Sequence, residues 1–122
     1  MGVVTNSTDK YQKCIDACNR CAQACMECMQ MCMNEPDVAA RKKCIAKLDE
    51  CISICHEASK FMIMDAAHTQ DICKLCETVC NECSQECGMF SDDHCRKCAN
   101  ECQNCANECR NMTSVKSFTY NA

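Results

Sequence analysis

A chain of 122 residues, with 17 acidic and 13 basic side chains and a formal charge of −4, has room for one domain and no more. It has no basic stripe, which excludes nucleic acid as the main partner, and no apolar run reaches the roughly 20 residues needed to cross a bilayer. Nineteen cysteines lie far above the roughly 8–10% that marks an unusual chain, while two tyrosines, three phenylalanines and no tryptophan cannot build an aromatic-rich core.

The opening residues, MGVVTNSTDKYQK, form a short lead-in without the basic start and apolar stretch of a secretion signal. They point to a cytoplasmic protein, a compartment where disulfides are rare. The first helix is expected near residues 9–34. It carries Cys14, Cys18, Cys21, Cys25, Cys28 and Cys32 at alternating steps of four and three, the spacing of a single α-helical face. Asn34-Glu35-Pro36 separates it from a second helix near 37–64, since proline is tolerated only in a first turn. There Cys44, Cys51 and Cys55 keep the rhythm, with Leu48 filling the missing position.

After a turn over 65–69, a third helix near 69–87 carries Cys73, Cys76, Cys80, Cys83 and Cys87. Gly88 follows where a C-terminal glycine is expected. Ser91-Asp92-Asp93 reads as the start of a fourth helix near 91–112, with Cys95, Cys98, Cys102, Cys105 and Cys109. The short loops predict an all-α, antiparallel up-down-up-down four-helix bundle with a cysteine-lined core. Residues 1–112 form its single domain, and 113–122 are expected to be a flexible or docking tail.

Leucine packs a seam better than cysteine and does not oxidise, so cysteine as a mere small hydrophobe does not explain nineteen seam positions. Cysteines three or four apart on one helix have Cβ atoms roughly 5–6 Å apart, too far for a disulfide, which needs about 3.8 Å. The thiols therefore point to a soft metal, for which Cu(I), Zn(II) and iron–sulfur clusters are the choices. Zinc wants a tetrahedron, and the second helix has only three cysteines to offer. Iron–sulfur clusters usually draw cysteines from loops. Paired thiolates on one or two helices suit low-coordinate Cu(I). Thiolates that bridge ions neutralise the buried charge, which predicts a capacity of the order of one Cu(I) per cysteine. Zinc storage or detoxification and iron–sulfur electron transfer remain the alternatives. An enzyme is not expected: there is no serine–histidine–acid set, phosphate loop or HExxH motif, and only Cys95-Arg96-Lys97-Cys98 approaches a redox CxxC at a helix start.

The antiparallel order puts Phe61, Met62, Ile63 and Met64 at one end as an apolar plug, and Met31, Cys32, Met33, Cys87, Met89, His94 and Cys95 at the other. Thioether and imidazole at that second end make Met89 and His94 the candidate gate. His56 and His68 are expected on the surface.

The runs CIDACNRCAQACMECMQMC, CIAKLDECISIC, ICKLCETVCNEC and HCRKCANECQNCANEC resemble the bacterial copper storage proteins, specifically the cytosolic branch. The resemblance covers residues about 11 to 112. It implies a bundle folded before metal binds and a metal-ligand role for all nineteen cysteines. It also implies a histidine or methionine near the mouth, which falls on His94 and Met89, and assembly as a homotetramer. Copper ions, with copper chaperones or chelators, are the implied partners.

Overall fold

A computed structural model describes residues 10–121, with side chains as far as Thr113. The lead-in before Lys10, Ala122 and, within the expected 113–122 tail, the side chains from 114 onward lie outside that set. The elements are α1 (Gln12–Met33), a 3₁₀ turn (Val38–Arg41), α2 (Lys42–Met64), α3 (Thr69–Cys87) and α4 (Asp93–Asn121). Helix α1 packs on α2 and α4, and α3 packs on the same two, while the diagonal pairs make no close approach. The result is a square antiparallel bundle. The seams of all four helices meet along its axis, because a period of three and four keeps each cysteine row on one helical face.

The flanks fit the same logic. Ile15, Ala17, Ala22, Val79 and Ala106 are buried between neighbouring helices, with Ala24, Ile45, Ile52 and Ile72 partly covered. Charged pairs tie the outside edges: Arg20 to Glu101 at 2.9 Å, Lys47 to Glu82 at 2.8 Å and Arg110 to Glu77 at 2.9 Å. Exposed pairs of this kind contribute little, about 0–1 kcal/mol each, so the bundle rests on burial of its thiol and aliphatic interior. Among the described residues no helix is long and apolar enough to cross a membrane.

Three details depart from the expected outline. The second helix opens with a 3₁₀ turn over Val38–Arg41 before the α-helix begins. The left-handed residue that closes a helix is Asp65, at φ 49°, and not Gly88, whose φ of −65° is open to any residue. The backbone of α4 continues past 112 to Asn121.

The apolar plug is also differently composed. Met62 is fully buried, but Ile63 and Met64 are exposed, since consecutive helical residues lie 100° apart and only one of three can face the axis. Tyr11, Ala58, Ser59, Thr69, Met112 and Thr113 complete the seal. The Tyr11 hydroxyl donates to Asp65 Oδ1 at 2.9 Å, tying the start of α1 to the end of α2.

Candidate metal centre

All nineteen cysteines are buried free thiols. Their sulfurs stand 3.6–4.0 Å apart in many pairs, including Cys18–Cys105 at 3.6 Å, Cys25–Cys98 at 3.7 Å and Cys51–Cys80 at 3.7 Å. A disulfide would need about 2.05 Å. With metal–sulfur bonds of about 2.3 Å, a trigonal site sets its sulfurs about 4.0 Å apart and a linear one about 4.6 Å. The core thiols are thus already close to the spacing that a three-thiolate site requires.

The thiols form groups whose ligand atoms all lie within 4.8 Å of one another: Cys18/Cys76/Cys105/Cys109, Cys21/Cys55/Cys80/Cys105, Cys21/Cys25/Cys51/Cys102 and Cys28/Cys87/Cys98. Cys105 and Cys21 each belong to two of these groups. The sets are therefore successive steps of one ladder and not separate sites. Cys44 joins through Cys87 at 3.8 Å, and Cys14 through Cys109 at 3.6 Å. Cys73 is buried in the same core, and its thiol is pushed up by Cys14 and by burial. The second group takes one cysteine from each helix, so a four-thiol layer exists even though α2 has only three cysteines.

At the end opposite the plug, Cys28, Cys32, His94 and Cys95 form a further group. His94 Nδ1 lies 3.6 Å from both Cys28 Sγ and Cys95 Sγ, and Nε2 lies 3.1 Å from Glu35 Oε2. An ionised carboxylate only accepts, so Nε2–H donates to Glu35, and in the neutral ring this leaves the Nδ1 lone pair facing the sulfurs. A second partner that fixes the ring in this way is what a metal-binding imidazole needs. Burial, with the hydrogen bond to Cys32, pushes the Cys95 thiol up to about 12.

The same end holds a residue that sequence reasoning passed over. Arg41 is 4% exposed. Its Nε donates to Asp37 at 2.7 Å, its Nη1 donates to Cys95 Sγ at 3.5 Å and Cys32 Sγ at 3.6 Å, and Nη1 forms an ion pair with Asp92 at 2.6 Å. The guanidinium stacks on Phe90 at 4.5 Å. Asp37, then Asp92, raise its pKa further, and Arg41 in turn holds the Asp92 carboxyl below its usual range. A signal for it existed: Arg41 sits three residues before Cys44, on the extension of the α2 seam.

Met89 lies in the turn after α3 and is 72% exposed, so its thioether faces solvent. Met31 and Met33 are also exposed. His56 is exposed, and His68 pairs on the surface with Asp71 at 2.9 Å.

A helical bundle with a continuous thiol lattice in place of an aliphatic core defines a polythiolate metal-binding protein. The copper storage protein family matches residues 7–114, and the chain belongs to that family. The Cu(I)-bound copper storage protein BsCsp3, from Bacillus subtilis, is 38% identical with a TM-score of 0.83, over 85% of this chain and 98% of that one. A cytosolic copper storage protein from Streptomyces lividans, with five coppers, is 32% identical with a TM-score of 0.84, over 88% and 95%. The same organism's Ccsp, loaded with 10 copper equivalents, is 30% identical with a TM-score of 0.84, over 93% and 91%. No curated protein matches the chain.

Proposed function

We propose that this bundle is a high-capacity cytoplasmic store for Cu(I), with all nineteen cysteines as ligands, His94 as a ligand at the mouth, and Met89 as an outer contact. The observation that carries the proposal is the sharing of sulfurs between adjacent groups. A lattice of shared thiols suits ions bridged by common thiolates, which neutralise one another in a dry core where an unpaired charge is costly. Cu(I) is the soft ion that thiolates select, and the Streptomyces relative is described as cytosolic. The role is sequestration and not catalysis: the thiols are inside, paired with one another. Assembly as a homotetramer and exchange with copper chaperones or chelators belong to the same proposal and rest on the family likeness.

Anaerobic titration of the reduced protein against a Cu(I) probe tests it. The expected endpoint is of the order of one ion per cysteine. Saturation at two or three ions refutes storage. The layer Cys21/Cys55/Cys80/Cys105 is also a fair tetrahedral set and favours zinc as the second reading. Zn(II) that resists displacement by stoichiometric Cu(I) would establish that reading instead.

A further inference from the structure

The ladder has two conceivable ways in at the end away from the plug: along the bundle axis, or sideways between helices. The axial way is closed. Arg41 lies across it, 3.5 Å from Cys95 Sγ and 3.6 Å from Cys32 Sγ, and is held by two carboxylates and the Phe90 ring. A cation arriving along the axis meets a fixed cation first, and a guanidinium stays charged at every ordinary pH.

The sideways route is open. Between α1 and α4 lies a cleft of about 400 Å³ in which Met31, His94, Cys28 and Cys98 meet, with Glu27 and Glu101 on its rim. The soft donors are graded in depth. Met31 is 47% exposed, the His94 side chain is 11% exposed, and Cys28 and Cys98 are 1% exposed. Each step inward exchanges a weaker soft ligand for a stronger one, and the last two belong to the ladder. Glu27 and Asp93 on the rim outweigh Lys97, and Glu101 is already paired with Arg20 at 2.9 Å, so the rim keeps a small negative excess that favours an incoming cation.

We propose that Cu(I) enters through this lateral cleft between α1 and α4, at the level of Cys28 and Cys98, and that Arg41 bars the axial mouth. The inference rests on the copper-storage reading. Met31 is then the outermost donor of the route, His94 the relay, and Cys28 the first thiolate reached.

The test is anaerobic stopped-flow uptake by the full, reduced protein from Cu(I) supplied as its bicinchoninate complex, with the endpoint measured in the same trace. Ala24→Phe puts a ring into the cleft, and Met31→Leu removes the outer thioether at an exposed position where the fold is not at risk. Uptake is expected to slow by about tenfold in the first and about threefold in the second, with endpoints unchanged. Arg41→Ala is expected to take up copper at least as fast as wild type. Wild-type rates in folded Ala24→Phe and in Met31→Leu, or slower uptake in Arg41→Ala, overturn the lateral route. A wild-type endpoint of only a few ions removes the storage reading itself and is read separately from the rates.

Discussion

Loading the core with Cu(I) must expel protons, and their number per ion follows from how the sulfurs are arranged. At neutral pH a buried thiol is held neutral, because low dielectric disfavours the thiolate; Cys95, pushed up to about 12, is the clearest case. If each ion took two private thiolates, about two protons would leave per ion and each site would keep a negative charge. Loading would then stop releasing protons once half as many ions as cysteines had bound. Sharing changes this. Cys55 Sγ alone has Cys51, Cys76, Cys80 and Cys105 within 3.7–4.0 Å, so bridging partners surround the first ion as well as the last. The expected release is therefore about one proton per ion, constant until the nineteen thiols are used. Affinity should accordingly fall about tenfold for each unit that the pH is lowered. A pH-stat titration under nitrogen measures the release, and chelator competition at several pH values measures the affinity. A slope near two that drops to zero at half loading would refute the shared-sulfur argument.

Leu48 is fully buried at the cysteine-free step of the α2 seam, so Leu48→Ala should cost the reduced apo protein about 2–5 kcal/mol in denaturant unfolding; a loss well under 1 kcal/mol would mean that this layer is not packed. Asp92 is held down chiefly by Arg41. Its ion pair therefore adds stability that is complete above about pH 4 and fades as the pH falls through the lower folded-state value. Carboxylate NMR should find Asp92 titrating below the ordinary aspartate value, and Arg41→Ala should return it towards that value. Asp65 adopts φ 49°, so Asp65→Ala and Asp65→Gly both lose the Tyr11 bond, but alanine adds about 1 kcal/mol of left-handed strain. The glycine variant should melt higher, and equal melting temperatures would count against that strain.

The helices and their inward faces were legible because cysteine marked the seam directly, in steps that only an α-helix produces. What lay beyond the cysteines was not extended far enough. One further turn of each seam reaches Tyr11, Arg41, Thr69 and Met112, and all four prove buried. Arg41 was hidden by its type, since a charged residue beside a loop reads as surface until two carboxylates and an aromatic face are seen to enclose it. The position of His94 was readable, but its partner Glu35 comes from the start of the α1–α2 loop, 59 residues away in sequence, and no local pattern announces that pairing. The placement of Ile63 and Met64 in the plug overlooked the rotation between consecutive helical residues.

The sealed end has a consequence for how the contents are withdrawn. Tyr11, Met62 and Met112 close the bundle behind Cys14 and Cys109, so whatever reaches those thiols has passed every step that lies between them and the point of entry. Such a container works as a stack: the last ion in is the first one out. A mild acceptor then drains only the shallow layers, and the deepest ions leave only after the rest have gone. One protein thereby holds a quick fraction and a reserve, and the difference between them comes from position along the axis and not from ligand type.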